Sequence, residues 1–564
     1  MDASRKWTAL MLAAALLLSV SCGALAGGVP EDVIPKDTVT LQVYSQLANY
    51  AGEQVGWFGK IMLDKFNVKL NIINEADGTF ATRMAAQDLG DIILFGNDGD
   101  EYLQAVGAGL LFDWEEEDVL ADYGPYIAEN MGKALAKNRA LSGGALYGFG
   151  HNVGTSVTDH ESYFYYPDLR WDLYKAVGYP QIETLEDYIP VLKAMQEIEP
   201  ASDTGGKTYG VSLFPDWDGD MVMFVKATGA LYGYDEFGIG LYDVVTQTYQ
   251  GALEPGGMYL RALAFYNKLY REGLLNPDSM TQTFNDVSED YQTGAAFMNL
   301  FSWMGSGLYN SQEHLDAGKM MYAKTPDDAI NLTYGLNVNG GSRVWAIGAK
   351  TFYPELCMAI INWLSTPEGV MTYNYGPKDA TWAYDENSLA YLTELGLKTS
   401  ADNTTPMTEP YSGTFDDGSF KMNNTTWSVD ASNPETPGET YNKTFWASTL
   451  TAEPSDIMKD WQEQTGAKIA DEYLEDNGHL SIAIGTNFSF APRSDELNTT
   501  WTQVATAVKD GSWKAIYAAD DAEFDSIVAD MTAQAKAYGY DECIEFTLTQ
   551  AELRKAAEDA AKAE

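Results

Sequence analysis

Apolar and polar residues alternate at Val39, Leu41 and Val43, switch to helical spacing at Val55, Phe58, Met62 and Phe66, and alternate again at Val68, Leu70 and Ile72. A period of two, then 3.6, then two predicts strand, helix, strand. Thr79 is placed to cap a helix over residues 80–87, and the run 91–95 (DIILF) predicts a buried strand that ends in the GNDGD loop at 96–100. Strands alternating with helices predict a parallel sheet and an α/β class. Ligands of such sheets bind beyond the carboxyl ends of the strands. That marks Tyr44 in the loop 44–49, and Asn97 and Asp98 in the loop 96–100, as candidate ligand-binding residues.

Beyond residue 150 the pattern lengthens into helices. Thr184 with Asp187 forms a capping box ahead of a stripe of Leu185, Tyr188, Ile189, Leu192 and Met195, with Pro190 placed to kink or delay that helix. Leu260, Leu263, Ala264 and Tyr270 share one face of a helix that Gly273 stops. Pro354 opens another, with Cys357, Ile360, Ile361 and Leu364 on its buried side. Residues 398–450 are rich in Thr, Asn, Ser, Gly and Pro yet keep Trp427, Phe445 and Trp446. A disordered linker has fewer aromatics, so this stretch is expected to be a long loop insertion that packs on, or lines, a cleft. The tail returns to helix at 501–508, 521–537 and 553–562.

One apolar run has neither period. Arg5 and Lys6 precede residues 10–20, and small residues follow at 21–23. Eleven residues fall short of the about 20 a membrane span needs and fit an export signal. The mature protein is therefore expected outside the cytoplasm. Cys22 stands where lipoprotein signals carry their acylated cysteine, with Ser21 and Val20 before it and Ser19 in place of the usual Leu. The favoured expectation is a palmitate-bearing lipid anchor on Cys22, holding the chain on the extracellular face of the cytoplasmic membrane; the rival is a signal peptide of 1–26, cut after Ala26, and free secretion. In either case 27–37 reads as a tether.

Charge narrows the partners. The chain has 564 residues, with 82 acidic against 35 basic side chains and a net charge of −47. Nucleic acid is excluded as a partner, because binding it requires a positive face. Three cysteines, at 22, 357 and 543, build no disulfide framework, and four scattered histidines offer no zinc site. No cofactor is implied. Aromatics make up 13 % of the chain, with 14 Trp and 35 Tyr. Sugar rings present apolar C–H faces that stack on such rings while polar side chains read the hydroxyls.

The sharpest local cluster is DWDGD at 216–220. As a calcium loop it lacks the Glu at the twelfth position, so no metal is assigned. As a ligand loop, Trp217 would stack on a sugar and Asp218 would accept hydroxyl hydrogen bonds. Trp382, after Gly376 and Pro377, is a further loop aromatic offered to ligand.

The order of segments resembles that of extracellular solute-binding proteins of bacterial ABC importers, in their carbohydrate-linked branch. The resembling pieces are 145–148 (ALYG), 166–178 (YPDLRWDLYKAVG), Pro180 with 183–188 (ETLEDY), 209–212 (YGVS), 266–277 (YNKLYREGLLNP), 294–298 (GAAFM) before Trp303, 346–369, and 501–539 with its EFD at 523–525. Together they cover most of residues 38–550. The resemblance implies a two-lobed periplasmic-binding-protein-like α/β fold, with interlobe hinge strands and a ligand cleft. Crossovers near 150, Ala295 and Trp345 would give an amino-terminal lobe of 38–150 plus 296–345. The carboxyl lobe would be 151–295 plus 346–564, including the insertion at 398–450. In that architecture Trp303, Arg343 and Trp345 face the cleft.

Three function classes compete. Export, tether, segment order and aromatic surplus together point to a non-catalytic binding protein that captures a neutral or weakly charged sugar or oligosaccharide. It would work as a monomer and deliver its ligand to ABC permease transmembrane subunits. Peptide, amino acid or polyamine are the alternative ligands. A secreted glycoside hydrolase needs a carboxylate pair among aromatics, which 82 acidic residues supply by chance. A structural surface protein predicts repeats, and none is visible.

Overall fold

A computed structural model describes residues 30–563 except 31, 77, 157–158 and 163–164. The export signal, Cys22 and Ala26 lie outside the described residues. The fold is α/β and divides into two units, the chain up to Asp159 with Leu336–Thr451, and His160–Gly335 with the chain from Ala452 onward.

In the first unit a six-stranded sheet runs Gly52–Glu53, Val68–Asn74, Val39–Ser45, Ile92–Phe95, Val344–Ile347, Gly148–Gly150. The three strands with alternating or continuous apolar runs pair in parallel, Val43 opposite both Ile72 and Ile92. Their two faces are both covered, as parallel sheets require. Leu41, Val43, Leu70 and Ile72 pack with the helix Gly56–Phe66 through Trp57, Phe58, Met62 and Phe66, while Tyr44, Ile93 and Phe95 pack with Tyr102. Val55, expected on the helix face, is instead its exposed cap, and the cap of the helix Thr79–Ala86 is Gly78, whose positive φ of 80° suits glycine.

The second unit centres on an antiparallel sheet ordered Met298–Phe301, Tyr165–Arg170, Met321–Ala323. The strand Asn331–Tyr334 pairs in parallel with Leu480–Ala483, and Tyr234–Glu236, Gly240–Asp243 and Thr248–Gly251 form a small meander. The Thr184–Asp187 capping box forms as expected, and Pro190 is the third residue of the helix Tyr188–Ile198, where its missing N–H is harmless. Long helices Asp495–Ile516, Asp521–Ala537 and Tyr540–Ala563 close the unit. Among the described residues no helix is long and apolar enough to cross a membrane.

The structure apportions the chain differently from the expected lobes. Residues 296–335 go to the second unit, because Met298–Phe301 and Met321–Ala323 both pair with Tyr165–Arg170. Residues 151–159 and 346–451 go to the first. The helix Pro354–Ser365 lies on the helices Val119–Tyr123 and Pro125–Asn130, where the Asn362 side chain accepts from the Tyr126 N–H at 2.9 Å. The insertion 398–450 packs into the same core. Trp427 donates to the Ser365 carbonyl at 2.7 Å, Trp446 to that of Thr440 at 3.1 Å, and Met422 is buried.

Candidate functional site

Six short segments of the second unit enclose a cavity of about 330 Å³. The helix Met223–Ala230 supplies Met223, Lys226, Ala227 and Ala230, the i, i+3, i+4, i+7 face of two turns. Leu332 and Tyr334 come from alternate positions of one strand, Tyr165 opens another, and Tyr234, Asp235 and Glu236 form an edge of the meander. Phe301 ends its strand and Trp303 follows in the next turn. Trp217 completes the lining from the loop after Phe214.

The aromatic groups are stacked on one another and still open. Trp217 lies on Phe284 at 4.7 Å between ring centres, edge-on to Phe214 at 5.0 Å and 6.0 Å from Trp303. Its indole is nonetheless 47 % exposed. The Trp303 indole N–H is buried and has no hydrogen-bond partner. Buried donors are ordinarily paired, so this one is a donor in want of an acceptor. Tyr165 is pushed up to about 12 by burial and, less, by the Asp235 charge, which keeps its phenol protonated.

The charged groups in the lining are paired within the protein. Lys226 Nζ contacts Glu236 Oε1 at 2.7 Å and donates to the Asp218 carbonyl at 2.9 Å. Asp235 accepts from the Tyr334 hydroxyl at 2.9 Å and from Arg554 at 2.8 Å. Arg554, on the last helix, also reaches Glu558 at 2.9 Å and lies 4.3 Å over the Tyr242 ring. None of Lys226, Asp235, Glu236 or Tyr334 was marked by sequence. The helical i, i+3, i+4 spacing around Lys226 was the available signal.

Asp218 is a correction. Its carboxylate is buried and accepts from the Met223 N–H at 2.9 Å and the Trp513 indole at 2.7 Å, so it caps a helix start rather than reading hydroxyls. Burial raises its carboxyl despite those donors. Asp216 and Asp220 likewise turn to separate protein donors, the Phe284 N–H at 3.0 Å and the Trp501 indole at 2.7 Å.

The remaining candidates lie in the first unit. Trp345 and Trp382 are both 0 % exposed and are core residues, the second correction: their indoles donate to the carbonyls of Thr425 at 2.6 Å and Gly376 at 2.8 Å. Tyr44 is buried too, with its hydroxyl on Glu75 and Arg83 5.6 Å from its ring centre; burial drives its phenol far up. Asn97 is exposed and closes its own turn, its side chain accepting from the Gly99 N–H at 2.9 Å. Asp98 is buried against Lys137 at 3.1 Å, and Lys137 also donates to the Gly341 carbonyl at 3.2 Å. Arg343 is exposed, and its carbonyl accepts from the His151 N–H at 2.8 Å. Asp98 and Arg343 thus meet around Lys137 and His151 at one end of the sheet. His151 is pushed down to about 3 by burial, helped by Arg343 and Lys137.

No family model matches the chain. Lipoprotein LipO of Bacillus subtilis (strain 168) is 26 % identical over 300 residues, a match that spans 49 % of this chain and 51 %, about half, of that protein. Among solved structures, the alginate-binding protein AlgQ2 without calcium ion superposes with a TM-score of 0.59 at 15 % identity, covering 92 % of this chain and 99 % of its own. The ABC-transporter substrate-binding protein FusA of S. pneumoniae, in complex with kestose, gives 0.57 at 12 % identity over 92 % and 100 %. These likenesses show the fold, that of two-lobed solute-binding proteins.

Proposed function

We propose that this chain is the extracellular substrate-binding component of an ABC importer, capturing a sugar or oligosaccharide and passing it intact to a membrane permease. The observation that carries this reading is the cavity of the second unit, where the half-exposed Trp217 ring and the Trp303 ring stand beside polar groups already held in place. A ring with an apolar face that stacks on an indole matches this lining, and a saccharide has that property. The fold shared with AlgQ2 and FusA, whose names attach them to alginate and kestose, supports the same class of ligand.

The cavity carboxylates also favour binding over hydrolysis. A glycosidase needs one carboxylic acid to give a proton and a second carboxylate to attack or to activate water. Here Asp235 is engaged by Arg554 and Tyr334, and Glu236 by Lys226. Calorimetry and tryptophan fluorescence against neutral, acidic and amino oligosaccharides, with product analysis on each hit, test the reading. Saturable binding of unaltered saccharide supports it; cleaved sugar, or binding of peptides or polyamines alone, refutes it. A lipid on Cys22 and a monomeric state complete the proposal. Mass spectrometry of the mature amino terminus distinguishes acylated Cys22 from a chain beginning at Gly27, and sedimentation reads the monomer.

A further inference from the structure

Asp168 lies on the middle strand of the antiparallel sheet in the second unit, across from Asn299 on one side and Ala323 on the other. It is 0 % exposed. One carboxyl oxygen accepts from the Ser306 N–H at 2.6 Å; the other is buried with no partner. The turn above it is closed on itself, Gly305 N–H to the Phe301 carbonyl at 2.9 Å and Gly307 N–H to that of Ser302 at 2.9 Å, so it moves as one piece. Gly305 has no room for a side chain: a Cβ there would lie 2.6 Å from Asp168 Cβ and 2.8 Å from its Oδ2. Trp303 rides on this turn into the cavity.

We infer that Asp168 is the positioning residue for Trp303: its carboxyl fastens the Ser302 to Ser306 turn from beneath, and its ionisation releases that turn and weakens ligand capture. The inference rests on the reading of the cavity as the ligand site. Burial lifts the Asp168 carboxyl to about 7, against the opposing hydrogen bonds from Ser306. A group raised in the closed arrangement relative to a solvated one pushes the equilibrium toward the solvated one when it loses its proton. The turn is therefore firmest below the ordinary carboxylate range, loosens as pH rises from there to about 7, and loosens no further above it. The neighbouring groups do not supply this transition. Tyr166 on the same strand and Tyr322 on the next are both driven far up by burial, and Arg170 is spent on Asp172 at 2.7 Å. Asp471 faces the same two tyrosines and is buried.

The test uses the full chain labelled with 5-fluorotryptophan, with the Trp303 resonance assigned from Trp303→Phe. Its ¹⁹F shift should move with pH with a midpoint near 7. In Asp168→Asn, whose amide oxygen still accepts from Ser306, it should stay at the acid position throughout. Gly305→Ala, which forces the turn off Asp168, should displace the resonance at fixed pH. A Trp303 signal that does not titrate in the natural chain, that titrates equally in Asp168→Asn, or that ignores Gly305→Ala overturns the inference. Kestose affinity, measured by calorimetry, should weaken by about threefold or more from about pH 6 to about pH 8 in the natural chain and stay level in Asp168→Asn; equal affinity at both pH values overturns the inference. Failure of kestose and every other saccharide to bind removes the sugar reading, while the ¹⁹F titration still decides the role of Asp168.

Discussion

Arg554→Met removes the one cation from a buried cluster in which Arg554, Asp235 and Glu558 have side chains only 11 %, 13 % and 3 % exposed. The guanidinium bonds both carboxylates at 2.8 and 2.9 Å, and Met keeps much of the volume while leaving two acids with no partner charge. An exposed pair would contribute about 0–1 kcal/mol. At this burial, breaking the pair from one side costs about 3–5 kcal/mol, because the desolvated carboxylates remain. For a unit of this size that corresponds to a melting point lower by about 10 °C. The pH dependence gives the cause away. In the variant two buried carboxylates are left without a cation, a cost that needs their charges, so the loss is greatest at alkaline pH and shrinks in acid as carboxylates take up protons. Differential scanning calorimetry at several pH values, with Arg554→Met/Asp235→Asn as a partial rescue, reads it. A melting point within about 2 °C of the natural chain, or a deficit that does not change with pH, would show that the cluster is not acting as a buried ion network.

Trp217→Ala should weaken saccharide binding by roughly 10- to 100-fold, about 1.4–2.8 kcal/mol, with the melting point nearly unchanged because half of the ring is already in solvent. Trp345→Ala should do the reverse in kind, destabilising the first unit by about 3–5 kcal/mol through a core cavity and a lost bond to Thr425; calorimetry separates the two. The His151 ring, held down to about 3, should show no NMR titration between about pH 5 and pH 8. Because its folded value is depressed, it contributes stability that is present above the unfolded value and fades as pH falls from about 6.5. Cys357 and Cys543, both buried, with Cys543 pushed up to about 11, should resist thiol reagents until the chain unfolds; fast labelling of the native protein would contradict that burial.

Local pattern identified elements better than partners. The alternation at Val39, Leu41 and Val43, the Thr184–Asp187 box and Pro354 each name a strand or a helix end from residues a few positions apart, and each is found. The segment 294–298 only touches the observed strand Met298–Phe301, and the sheet that receives that strand was not legible, because its partner Tyr165–Arg170 lies far away in sequence. The tryptophans divide for the same reason. Trp345 and Trp382 look locally like Trp217 and Trp303, and only distant carbonyls and core neighbours set them apart. Asp218 was read as a hydroxyl acceptor because Trp513, which holds it, is almost 300 residues downstream.

Both units are discontinuous in sequence, and that orders their assembly when the chain emerges from its amino terminus. The first unit has all its pieces once Thr451 is out. The second must wait for Leu480–Ala483, which pairs with Asn331–Tyr334, and then for Arg554, which engages Asp235. Until then its strands present unpaired edges and its cavity wall lacks a brace, the condition in which partly folded chains aggregate. The stretch from Ala230 to Tyr334 is thus the part of this protein that most needs a chaperone or rapid completion of the tail.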